Sequence, residues 1–196
     1  AEVPITYYPR KGGQSKLRSF RDGWRHLKLL LALAPKYLYY VPGVVFITVG
    51  IILMLVALLR VNLGYSPGIH SSILGGVFTI LGYNLVFAGI VADTYLANLI
   101  GRFTSRYTTI VYKHFNIERL ILLGTILTVI GLLYVLYLFI LWLNSEYRFI
   151  PIRGENVLAF TMIILGLEII FNGFIIYLLK QFIEIQVIDY RATAER

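Results

Sequence analysis

Arg10, Lys11, Lys16 and Arg18 are set around Gly12 and Gly13, just ahead of Ser15. Ser15 suits a helix N-cap. Glycine-freed backbone N–H groups, the amino end of a helix and four cations therefore meet in a few residues. That combination takes up anions, and phosphate above all. Two readings of these residues stay open. In the first, the stretch is a phosphate-binding turn, with Arg10, Ser15 and Lys16 as its main groups and Lys11, Gly13 and Arg18 beside them. In the second, it is a polybasic anchor for anionic lipids, in which each basic residue near the surface contributes about 1 kcal/mol. Arg21, Arg25 and Lys28, farther along, fit the anchor better.

Glu168 is the second candidate. It is the one charge in the apolar run 157–179, and a carboxyl at the centre of a spanning helix costs about 2.5–3.5 kcal/mol on insertion scales. Such a residue marks either a function or an interhelical hydrogen bond. Asn172 lies one turn on, and Asn84, Tyr83 or a tyrosine of the third run could serve as its partner. Other chemistry is missing from the sequence. There is no cysteine, so no disulfide and no thiolate metal site. His26, His70 and His114 are scattered, without the spacing of metal ligands. His70, beside Ser71 and Ser72 at the end of a run, is best satisfied by water. No phosphate-cradling glycine motif and no Asp-x-Asp pair occur, so no metal ligand and no complete catalytic set is found in the chain.

The elements that must position these residues are spanning helices. Of 196 residues, 58% are hydrophobic and 14% charged. A bilayer needs about 20 apolar residues in helix, and the runs 41–59, 69–92, 120–143 and 157–179 meet that need. Ahead of them, Leu17, Phe20, Trp24, Leu27 and Leu31 recur at three and four residues while Lys16, Arg18, Arg21, Arg25 and Lys28 fill the other faces. This predicts an amphipathic helix over 15–36 lying in the membrane interface, ended by Pro35. Tyr37, Tyr39 and Tyr40 then suit a headgroup-level aromatic belt. A second interfacial helix is expected over 94–115, with Leu96, Leu99, Ile100, Phe103, Tyr107 and Ile110 favouring one side. Ser71, Gly75 and Thr79, and likewise Ser72 and Gly76, stand four apart in the second run. They offer close helix packing, or else a groove for a slender lipid chain, and they permit self-association. The two halves, each an interfacial helix and a spanning pair, resemble each other only weakly.

All but three of the 18 Lys and Arg residues fall in the terminal and central segments, the exceptions being Arg60, Arg148 and Arg153. The positive-inside rule then puts both termini and the central segment in the cytoplasm of a multi-pass protein of the cell membrane. Residues 1–14 alternate as a strand does over Val3, Ile5 and Tyr7 and then turn. A lone strand cannot bury its face, so the expectation is the edge of a soluble α/β domain lying upstream of Ala1. The fold class expected is an all-α membrane domain over 37–183, with four spanning and two cytoplasmic interfacial helices, that strand remnant before it and a tail at 184–196.

The stretch from Glu2 to Leu31, with Arg10, Gly13, Ser15, Lys16 and Leu17 in an R-x-x-G-x-S-K-L pattern, resembles the exit of the catalytic domain in family 2 glycosyltransferases of the dolichol-phosphate mannose or glucose synthase type. The run containing GIHSSILGG and TILGYN resembles the membrane region of archaeal members. The resemblance implies transfer of a hexose from GDP-mannose or UDP-glucose to polyprenyl (dolichyl) phosphate, with Mg2+ or Mn2+ held by a catalytic domain absent from these residues. It places Arg10, Ser15 and Lys16 at the edge of the active site, on lipid or donor phosphates. The expected partners are membrane lipid, polyprenyl phosphate and, through the other domain, a nucleotide sugar; no nucleic acid is implied. Alone, the chain is expected to bind and position the lipid acceptor but not to transfer sugar. The competing reading is a small four-span translocator of lipid-linked sugars, or a membrane partner subunit of a transferase.

Overall fold

The computed structural model describes residues 19–34, 36–61, 64, 67–100, 106–114, 116–147 and 153–194. Among them the elements are helical: α1 (Ser19–Leu33), a π-helical turn (Lys36–Tyr40) running into α2 (Val41–Leu58), α3 (Ile69–Ile100), α4 (Arg106–His114), α5 (Ile117–Asn144) and α6 (Gly154–Ala194). The strand expected within residues 1–14 lies outside the described residues. Four segments are long and apolar enough to cross a membrane, Lys36–Leu58, Ile69–Ala97, Ile117–Asn144 and Gly154–Gln181. The protein is an all-α membrane protein with four spanning helices.

Its packing is the reverse of a water-soluble core. Large side chains such as Leu122, Leu133, Phe171 and Leu178 point outward, each at least 60% exposed, while the buried positions of α2 and α5 are mainly glycines. Lipid is as apolar as leucine, so outward leucines carry no penalty there, and close backbone approach holds the helices together. α2 and α3 form one antiparallel hairpin and α5 and α6 another, and the hairpins meet along α3 and α6 to give the spatial order α2, α3, α6, α5.

Both hairpins use one register. In the first, Gly43 lies against Gly82, and Gly50 against Gly75; a Cβ on Gly75 would stand 2.7 Å from the Gly50 carbonyl oxygen. In the second, Gly124 lies against Gly166 and Gly131 against Ala159, with 2.7 Å between a Cβ on Gly131 and the Ala159 oxygen. Each helix thus carries its small residues seven apart, two turns on one face. This consumes the small-residue stripe of the second run. Gly75, Thr79 and Gly82 face α2, whereas Ser72 and Gly76 face Gly154 and Thr161 of α6. The stripe is packing, and no groove for a lipid chain is left along it.

Two boundaries differ from expectation. The second span does not stop at residue 92: α3 continues to Ile100, and the second interfacial helix, expected over 94–115, is only Arg106–His114. The reason lies in the polar residues that signalled a surface. Asp93 is fully buried, Thr94 and Leu96 nearly so, and the Thr94 hydroxyl donates to the Ile90 carbonyl. Protein rather than water receives them, and the helix has no cause to end. The face assigned to that second helix changes too. Ile110 is 41% exposed while Thr108 is buried, so α4 turns Thr108 and Tyr112 inward. α1 matches its expected pattern over the part described, with Phe20, Trp24 and Leu27 all outward.

Since a Cβ at Gly75 or Gly124 would meet a backbone carbonyl oxygen of Gly50 or Gly166 as well as the Met54 or Ile170 side chain, Gly75→Ala and Gly124→Ala should each lower stability by about 1–3 kcal/mol, the range for overpacking. Gly23→Ala on α1, where a Cβ meets nothing within 4 Å, should be neutral or stabilising, because alanine favours helix over glycine. Unfolding in a mild detergent measures all three, and equal behaviour would contradict the register.

Candidate functional site

Of the residues singled out by sequence, Arg10, Lys11, Gly13, Ser15, Lys16 and Arg18 lie outside the described residues. Glu168, Asn172 and Asn84 are described, and the structure brings all three to the seam between the hairpins. The Asn84 side-chain amide donates to Glu168 Oε1 at 3.1 Å and to the Ile80 carbonyl, one turn back, at 3.1 Å. Glu168 is therefore bonded across helices by one oxygen. Its Oε2 is buried without a hydrogen-bond partner. One turn on, Asn172 Nδ2 donates to the Tyr83 hydroxyl at 3.3 Å. The seam runs on toward the loop end of the bundle through Thr161, buried and packed on Gly76, with its hydroxyl donated to the Val157 carbonyl. A polar ladder thus ties α3 to α6 through a region where no water replaces a lost partner.

At the terminal end of the bundle a second polar cluster was not foreseen. Tyr40, expected in an exposed aromatic belt, is 2% exposed and shares a 2.5 Å hydrogen bond with Thr108 of α4. Its belt neighbour Tyr37 is 70% exposed and is the one placed as expected. Tyr40 packs with Ile90 and Ile176, and Val86, Phe87, Val111, Tyr112 and Leu120 close around them. The ring also fills the space over Gly89, where a Cβ would come within 3.1 Å of it. Thr94 and Tyr112 share a further hydrogen bond of 3.0 Å. Burial raises the Tyr112 phenol above its ordinary value, against the lowering effect of the Thr94 bond, so it stays protonated at neutral pH and can donate. The entry to α2, the end of α3 and α4 are thereby joined at one place. The signal in sequence was hydroxyls at Thr94, Thr108 and Tyr112 within a segment otherwise read as basic surface.

Around this junction the cations face outward. Arg21, Arg25 and Lys28 lie about Trp24 and Asp22 on α1, with the Lys28 ammonium 6.0 Å over the Trp24 ring. Arg106 and Lys113 of α4 are exposed. Arg119 closes the chain behind α4 by donating to the His114 carbonyl at 2.9 Å. Among the described residues no group of three His, Asp or Glu side chains could hold a metal ion. What the arrangement offers is binding and positioning: a polar seam, a buried hub, and exposed cations on α1 and α4.

Residues 90–180, from the hub through Glu168 and Asn172 to the end of the fourth span, match the family model described as the glycosyltransferase family 2 C-terminal transmembrane region. Over 176 residues the chain is 32% identical to the low-salt glycan biosynthesis hexosyltransferase Agl6 of Haloferax volcanii, which covers 89% of this chain and 42% of the relative. The chain thus spans less than half the length of that relative. No solved structure matches it.

The Asn84–Glu168 bond has an asymmetric consequence. Asn84→Leu leaves the Glu168 carboxyl with neither oxygen bonded and should cost about 1–3 kcal/mol, the penalty for an unsatisfied buried polar group. The double variant Asn84→Leu/Glu168→Leu removes both partners and should be close to neutral by the same reasoning. Detergent unfolding of the single and double variants tests this. A double variant as unstable as the sum of the singles would show that the bond does not hold the seam.

Proposed function

We propose that this chain, whose residues 90–180 match the model of the glycosyltransferase family 2 C-terminal transmembrane region, anchors and presents the lipid acceptor in a hexosyltransferase that moves a sugar from a nucleotide sugar, GDP-mannose or UDP-glucose, to polyprenyl phosphate. The observation that carries the reading is the similarity to a hexosyltransferase along nearly the whole chain. In the reaction, an oxygen of the lipid phosphate attacks the anomeric carbon. The bond from that carbon to the diphosphate oxygen breaks, and the nucleoside diphosphate leaves with the electron pair. The metal-binding and nucleotide-binding residues are assigned to a domain outside this chain.

The geometry supports a division of labour. α1 presents Phe20, Trp24 and Leu27 to lipid and sets Arg21, Arg25 and Lys28 beside them. In the sequence, the basic turn proposed at Arg10–Lys16 precedes this helix, which is proposed to lie at headgroup depth. A phosphate on a long isoprenoid tail sits at that depth with its chain in the bilayer. Arg10, Ser15 and Lys16 are the residues proposed to meet it. With both termini cytoplasmic, as the distribution of Lys and Arg favours, the acceptor is engaged from the cytoplasmic leaflet.

In membranes carrying the intact enzyme, Arg10→Ala and Lys16→Ala should each lower sugar transfer to polyprenyl phosphate by about tenfold or more, the scale of one lost charge-assisted hydrogen bond of 1.5–3 kcal/mol. Membrane insertion, read by alkaline extraction, should be unchanged. Full activity in both variants would return the turn to a polybasic anchor.

A further inference from the structure

We propose that the loop end of the bundle, opposite the termini, carries a binding site for a phosphate group, made by Arg60 of the first hairpin and Arg153 of the second. The two arginines line one cavity of about 380 Å3, together with Ala57, Pro67, Gly68 and Glu155. They come from different hairpins and are brought together only when α3 docks on α6. Arg60, Arg148 and Arg153 are the only Lys or Arg residues in the two connecting loops, and the two that are described meet at this one place.

Charge makes the case. Among the described residues neither guanidinium is in an ion pair, and Glu155 is the one acid on the cavity wall. Two like charges facing a shared space repel, and an anion between them turns that repulsion into paired, charge-assisted hydrogen bonds. Arginine suits this role because its planar fork matches phosphate oxygens two at a time. The first residues of α3 and α6, Ile69 and Gly154, also line the cavity, and the amino ends of these two helices add potential of the same sign. Arg60 has a backbone φ of 52°, the left-handed conformation that closes α2, where glycine is the least costly residue. The chain keeps a cationic side chain there instead.

Depth identifies the ligand class. The cavity lies where the apolar segments end, at Leu58, Ile69 and Gly154, which is the level of lipid headgroups. A phosphodiester headgroup and a free phosphate ion share the chemistry required. The site draws on none of the residues Arg10–Lys16 and stands whether or not that turn handles polyprenyl phosphate.

The test uses the full chain purified in nanodiscs of phosphatidylcholine, with phosphatidylglycerol added, and native mass spectrometry to count the phosphatidylglycerol retained. The Arg60→Gln/Arg153→Gln double variant should retain one molecule fewer, or bind it at least tenfold more weakly. Arg21→Gln/Arg25→Gln on α1 should leave that molecule in place while losing others. If inorganic phosphate displaces the molecule from wild type, the site takes the free ion; if it does not, the site takes the lipid headgroup. Should the double variant fail to fold, Arg60→Gln and Arg153→Gln singly carry the comparison, each weakening retention several-fold. Retention equal to wild type in the folded variants overturns the proposal.

Discussion

Backbone contact at paired small residues is the constraint on which this structure rests. In water, helices associate to hide apolar surface. In a bilayer the surroundings are as apolar as the helix, and that drive disappears. What remains is dispersion between atoms that come close enough, and a glycine opposite a glycine brings two backbones closer than any side chain allows. Gly43 with Gly82 and Gly50 with Gly75 do this in the first hairpin, and Gly124 with Gly166 and Gly131 with Ala159 in the second. The leucines and phenylalanines are then free to turn outward.

On that frame the polar groups have two separate tasks. Along the α3–α6 seam, Asn84 with Glu168 and Tyr83 with Asn172 set the register of one hairpin on the other. At the terminal end, Tyr40 with Thr108 and Thr94 with Tyr112 bind the short helix α4 and the entry turn to the end of α3. Apolar residues of the same shape could match these pairs in stability, but they would not penalise a slipped register in the same way. Hydrogen-bonded pairs do, since a slip of one turn leaves each member without its partner.

Much of this was legible in the sequence, for physical reasons. The four spans follow from apolar length alone, and the helical course of α1 from the spacing of Phe20, Trp24 and Leu27. Asn84 was one of the partners the sequence offered for Glu168, with Tyr83 and the tyrosines of the third run, because a carboxyl in a span needs a donor; the structure selects Asn84. Other features were hidden. Tyr37 and Tyr40 look alike in sequence, yet one is exposed and the other is the centre of the hub, because only the tertiary contact with Gly89 and Thr108 separates them. Asp93, just past the expected end of the second run at residue 92, is wholly buried. The glycine register was visible only as small-residue spacing within single helices; its partners across each hairpin, and the likeness between hairpins, appear once the helices are laid side by side. Of the basic turn the structure describes nothing before Ser19.

The length of α6 has a mechanical meaning. Its apolar part ends at Gln181 while the helix continues to Ala194. Thirteen further residues at about 1.5 Å each carry the helix axis roughly 20 Å past the span. An unbroken α-helix resists bending over such a distance, so it acts as a strut with a fixed stand-off. Whatever engages its far end is held at a set height from the bilayer, and a tilt of the strut within the membrane becomes a sideways sweep of that end.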